Sequence, residues 1–186
     1  MRRKAVPVLL VGAMMAGAVV VRGHWTGVAS AGTIDEGDLN KIVLNTDGSA
    51  TIRSTITGTS AKIRFNVPSD EDIRTLAPGQ DGGSLVFSMR FRDNGPGTRI
   101  IATLKRVALN GFNFNALQQT ETLATIDSEE SPPSEQWQTG WGRWHKGFNT
   151  GLKFLNDGYV VEVQMIKNNG SGNPGVMGVQ VYRDED

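Results

Sequence analysis

The chain has 186 residues, 38% of them hydrophobic, with 19 basic and 19 acidic side chains and no cysteine. That length suits one domain behind a short leader, and the missing cysteines exclude a disulfide framework, a thiolate nucleophile and a cysteine-bound metal. Balanced charge leaves no basic surplus to hold nucleic acid or an anionic membrane surface.

Arg2, Arg3 and Lys4 precede an uncharged apolar run over residues 6–21, which Arg22 ends. This run of 16 residues is shorter than the roughly 20 that a spanning helix needs. Ala29 and Ala31 then put small residues at the two positions a signal peptidase reads. The expectation is a cleavable signal over 1–31, with a retained membrane anchor as the alternative, a flexible acidic arm over 32–40 and a single domain over 41–186. Cleavage after Ala31 takes Arg2, Arg3, Lys4 and Arg22 from the 19 basic groups and leaves 15 against 19 acidic ones. No stable membrane span is then expected after cleavage, and nucleic acid is not an expected partner. Export without disulfides fits a bacterial extracellular, periplasmic or cell-surface protein.

From Lys41 the pattern is strand and turn. Residues 41–45 and 50–57 flank Asp47-Gly48, where glycine suits a left-handed turn. Residues 62–67 alternate, with Ile63, Phe65 and Val67 on one face, until Pro68 stops the strand. Residues 69–76 carry the one helix signal: Ser69 caps, Asp70, Glu71 and Asp72 suit the positive helix end, and Pro78-Gly79 terminates it. Two turns at most make it a connector.

Residues 84–92 are the clearest strand, with Leu85, Phe87, Met89 and Phe91 on one side. Residues 98–109 follow, their parity blurred by Ile100 beside Ile101, which predicts a bulge or a strand buried on both sides. Residues 119–127 form another strand before a proline-bearing acidic loop at 127–135. Residues 152–155 and 159–167, joined by Asn156-Asp157-Gly158, predict a hairpin. After a glycine-rich loop at 168–175, residues 176–182 close the chain with Val179 and Val181 inward. About nine short strands spaced in this way predict an all-β, antiparallel two-sheet sandwich of jelly-roll type, with a closed barrel second.

Residues 136–148 stand apart. They hold Trp137, Trp141 and Trp144, three of the four tryptophans, and His145, the only histidine once the leader is removed. Their spacing resembles a helix face, but Gly140, Gly142 and Gly147 oppose a helix. In extended chain, Trp137 and Trp141 share one parity while Trp144 and Phe148 share the other. Flat aromatics pack on the C–H faces of sugar rings, and Arg143 and His145 could bond hydroxyl or acidic groups. The candidate ligand-binding residues are therefore Trp137, Trp141, Arg143, Trp144 and His145. The competing reading is that these rings plug one end of the core, since large aromatics are mostly buried.

Catalytic patterns are weaker. A serine triad would depend on His145, and none of Ser54, Ser60, Ser84 and Ser88 sits in a nucleophile elbow. Carboxylate pairs such as Glu121 and Glu162 have no distance that sequence can supply. Tyr159, His145, Arg143 and Gln164 match the residue inventory of jelly-roll polysaccharide lyases and nothing more of their pattern. With one histidine and no cysteine, zinc and copper do not fit. No cofactor is expected, calcium at oxygen-rich turns such as Asp93-Asn94-Gly95 being the one exception to consider. The leading expectation is an exported, non-catalytic module that binds a polysaccharide or cell-surface polymer. The alternatives are a self-assembling surface protein and a polysaccharide-degrading enzyme. Oligomeric state is not legible from the sequence.

Overall fold

Strand alternation builds two antiparallel sheets that enclose one core. The structure, a computed structural model, describes residues 25–69, 73, 84–108, 120–145, 152–155, 157–170 and 172–184. The first sheet comprises β1 (Trp25–Val28), β3 (Ile42–Leu44), β4 (Ala50–Ile52), β6 (Ser84–Arg92), β9 (Gln138–Trp141) and β12 (Gly175–Asp184). The second comprises β2 (Thr33–Ile34), β5 (Thr59–Val67), β7 (Thr98–Ala108), β8 (Thr120–Asp127), β10 (Arg143–Trp144) and β11 (Asp157–Lys167). In the first sheet the order is β3-β4-β12-β6-β9, with β1 also on β12; in the second it is β10-β8-β7-β11-β5-β2. From β5 onward the chain passes repeatedly from one sheet to the other, which is how a sandwich covers both apolar faces.

The expected alternations hold where they were strongest. Leu85, Phe87, Met89 and Phe91 are all buried, as are Ile63, Phe65 and Val67 on β5. Val161, Val163 and Met165 of β11 and Val179 and Val181 of β12 join the same core. The Ile100–Ile101 pair resolves without a bulge, because β7 runs in unbroken register with β11 from Thr98 to Ala108. Ile100 points into the core, and Ile101 pairs with Gln164 on the outer face. The irregularity lies opposite instead, where β8 inserts Leu123 between the partners of Leu104 and Lys105.

Several expectations need correction. Twelve strands are present among the described residues against about nine expected, the additions being short pieces such as β1, β2 and β10. Residues 32–40 are not a loose arm. Asp35 pairs with Arg64, Asp38 bonds Lys41 at 2.6 Å and accepts the Lys62 backbone N–H at 2.9 Å, and β2 joins β5. Upstream of them, β1 lies antiparallel on β12 and Ala29 is fully buried, so a cut after Ala31 would remove a sheet strand and a core residue. Residues 152–155 make no strand: Leu152 donates one backbone bond to Ile73, and Phe154 packs edge-on against Tyr159 at 4.9 Å. The helix expected over 69–76 falls mainly outside the described residues.

Two buried polar residues, Asp93 and Lys167, are tied to their neighbours. Asp93 accepts from the hydroxyls of Thr98 and Ser128, which links the turn after β6 to the end of β8. Lys167 is buried with its ammonium 3.1 Å from the Ser54 carbonyl. The outer face of the second sheet is closed by charge. Glu162 at its centre accepts from Lys105 at 3.0 Å, Arg64 at 3.1 Å and Lys62 at 3.2 Å. Burial pushes its carboxyl up, but the bonds from Lys105, Lys62 and Arg64 outweigh that and hold it at about 2. Asp127 is likewise lowered by its Arg99 partner.

Candidate functional site

The outer face of the first sheet is built differently. Cross-strand partners share a face, so the register places Thr26, Gln180, Ser88 and Trp141 side by side across β1, β12, β6 and β9. The next row outward on the same face is Val28, Gly178, Arg90 and Thr139. Between these rows lies a groove of about 340 Å³, to which Met177 adds a wall. A register shift in β12 between Val176 and Gly178 brings Met177 there.

The groove presents a mixed surface. Gln180 donates to Thr26 Oγ1 at 3.3 Å and its amide oxygen accepts from Ser88 Oγ at 3.4 Å, which orients a row of hydroxyl and amide groups. Val28 and Met177 supply apolar surface, and Val28 is itself exposed. Among the described residues Arg90 is the only ionisable side chain in the lining, and it is exposed.

Trp141 stands at the rim of this face and is 63% exposed. Its position follows from the two glycines beside it. A Cβ at Gly140 would lie 2.9 Å from Ile126 and 3.1 Å from Phe91, and one at Gly142 would lie 2.7 Å from Phe87. Both glycines therefore sit against the core, and alternation turns the ring between them outward. Gly142 is also the crossing point. Its N–H donates to Phe87 on β6 at 2.7 Å, while the next residue, Arg143, already pairs with Thr125 on β8.

That crossing divides the sequence-predicted site. Trp137 has the same parity as Trp141, but it is half-buried. The Arg92 guanidinium lies 5.3 Å from its ring centroid, and its ring edge fills the space beside Gly175. Trp144 packs against the core from the second sheet. Arg143 is exposed there and pairs with Glu130 at 3.3 Å. His145 is exposed at the strand end, with its backbone N–H bonded to Leu123 at 2.7 Å. Trp141 alone of the five lies exposed beside the groove. Phe148 is outside the described residues.

Sequence reasoning did not find Thr26, Ser88, Arg90, Thr139 or Gln180. Each reads as an ordinary outward position in its own strand, and only the sheet order assembles them. The lyase-like inventory is dispersed: Tyr159 faces the core and bonds Lys153, whereas Gln164 lies on the outer face of the second sheet. Glu121 pairs with Arg106 on the Tyr159 side of that sheet, away from Glu162. At the turns considered for calcium, Asp93 is bonded to two hydroxyls, Asn94 accepts from the Asn173 N–H at 2.6 Å, and Asp47 accepts from Ser49. No group of three or more histidine, aspartate or glutamate side chains that could hold a metal occurs among the described residues.

No protein-family model and no curated protein sequence matches this chain. Among solved structures it is similar to the xylan-binding module CBM15, with a TM-score of 0.45 and 12% identity over 89% of this chain and 99% of that one. It is also similar to a family 11 carbohydrate-binding module from Clostridium thermocellum in complex with a β-1,3-1,4-mixed-linked tetrasaccharide, with a TM-score of 0.38 and 16% identity over 92% of this chain and 94% of that one. A family two carbohydrate esterase from Cellvibrio japonicus is similar with a TM-score of 0.41 and 15% identity over 87% of this chain, which spans about one third, 34%, of the esterase.

Proposed function

We propose that this protein binds a polysaccharide across the outer face of its first sheet, with Trp141 as the stacking ring and the groove beside it as the recess for neighbouring sugars. The observation that carries the reading is the juxtaposition of a 63% exposed tryptophan with an oriented Ser88–Gln180–Thr26 row in one register line. A pyranose ring has an apolar C–H face and an equatorial rim of hydroxyls. Trp141 matches the first and the hydroxyl and amide row matches the second. Leaving so large a ring in water disfavours the isolated protein, and covering it with a partner recovers that apolar contact.

Binding is the activity that this face supports, through the hydrogen-bonding groups and the guanidinium of its lining. Export is part of the proposal. It rests on the basic and apolar residues 2–22. Because β1 contributes Thr26 and Val28 to the groove, processing is proposed to leave Trp25–Val28 in place. The test is retention on a panel of insoluble and gel-embedded polysaccharides, wild type against Trp141→Ala. Retention that Trp141→Ala abolishes supports the proposal; equal retention of both proteins removes this face from it.

A further inference from the structure

We infer that the glycan taken by this groove is anionic, a polymer bearing carboxylates such as a polyuronate, and that Arg90 is the residue that selects it. The inference rests on the glycan-binding reading above and narrows its ligand class. Arg90 lies in the row Val28–Gly178–Arg90–Thr139, one step along the face from Trp141. Its neighbours in the lining are hydroxyl, amide and apolar groups, and among the described residues no aspartate or glutamate lines the groove. Cations elsewhere are engaged within the molecule, Arg53 and Lys167 with backbone carbonyls and several others with carboxylates. Arg64, Arg99, Arg143, Lys41, Lys62 and Lys105 are each bonded to a carboxylate. Arg92 sits over Trp137.

Arg90 thus points a cationic fork into a recess whose other groups are neutral. A planar guanidinium matches a carboxylate through two parallel N–H···O bonds. Arg90 and Trp141 lie on the same outward face of adjacent strands, so a sugar carboxylate could reach the fork while its ring, or the next, lies on Trp141. A neutral polymer would satisfy Trp141 and Gln180 but leave Arg90 facing a sugar hydroxyl, a weaker partner than an anion. The net charge of the whole chain is balanced, so selection is local to this groove and does not depend on a general basic surface.

The test uses the full chain and polymers that differ in charge alone. Polygalacturonate, alginate and glucuronoxylan are each compared with their carboxyl-reduced forms, alongside neutral β-glucan and xylan. Wild type, Arg90→Gln, Arg90→Lys and Trp141→Ala are run by affinity electrophoresis, with thermal melts to establish folding. The expected result is that at least one polyuronate binds roughly tenfold more tightly than its reduced form. That preference weakens as salt rises, is lost in Arg90→Gln, and is partly kept in Arg90→Lys, while Trp141→Ala loses both forms. Binding to polymers with no preference for the charged form, or a preference that Arg90→Gln leaves intact, overturns the inference and leaves the glycan-binding reading standing. Retention of the folded wild type on no polymer overturns both.

Discussion

Replacing Gly142 with alanine probes the device that sets Trp141 outside and Trp144 inside. The added Cβ would fall 2.7 Å from Phe87 Cδ1 and 3.2 Å from Phe87 Cβ, well inside an ordinary carbon–carbon contact of about 3.5–4.0 Å. Phe87 is fully buried and cannot yield into solvent. The crossing strand cannot easily yield either, because the Gly142 N–H bonds Phe87 on one side and Arg143 pairs with β8 on the other. Overpacking of this kind costs about 1–3 kcal/mol, which for a domain of this size lowers Tm by about 3–10 °C. Differential scanning calorimetry measures it. Gly37→Ala is the control, since nothing lies within 4 Å of the Cβ it would add and its effect should stay within about 0.5 kcal/mol. If Gly142→Ala melts with the wild type, the crossing is not held as described and the account of why Trp141 faces outward is refuted.

Acid sensitivity should depend on Glu162. Its carboxyl is held at about 2 against an ordinary 4.5, so the stability it lends is present above about 4.5 and is lost as pH falls toward 2. That interval corresponds to roughly 3 kcal/mol, reduced to about 1–2 kcal/mol because Lys62 and Arg64 are 35% and 40% exposed and screened by solvent. Glu162→Gln should therefore be less stable at neutral pH and lose less stability between pH 5 and pH 2 in urea titrations. An acid limb parallel to that of the wild type would contradict the assignment. For export, amino-terminal sequencing of the secreted protein should give a start at or before Trp25; a start at Gly32 would remove β1 and contradict its place in the groove.

Legibility in the sequence followed burial. Leu85, Phe87, Met89 and Phe91 alternate because one face of β6 meets the core and the other does not, and such a pattern is visible in isolation. Ile100–Ile101 was ambiguous because an apolar residue on an outer sheet face costs little, so periodicity alone could not choose between them. Ala29 and Ala31 resemble a peptidase site for the same reason that Ala29 fits the core: both require small side chains. Within the tryptophan stretch, alternation sets Trp141 outside and Trp144 against the core, but Trp137, which shares the parity of Trp141, is half-buried, and Phe148 lies outside the described residues. Alternation could not show that Trp137 is occupied by Arg92 and Gly175, nor that Trp141 shares a row with Ser88 and Gln180, residues brought from distant strands by sheet order. The sequence therefore marks the one exposed ring on this face and gives no sign of the ordinary polar groups that sheet order sets beside it.

The proposed function requires that a glycan pack on the Trp141 ring. Covering its exposed side would bury about 60–120 Å² of apolar surface, worth roughly 1.5–3 kcal/mol or about ten- to a hundredfold in Kd. The direct measurement is isothermal titration of a soluble oligomer of whichever polysaccharide the wild type retains, against wild type, Trp141→Phe and Trp141→Ala with matched melting curves. Binding should persist in Trp141→Phe and fall by at least tenfold in Trp141→Ala. Equal affinity of Trp141→Ala and wild type would contradict it.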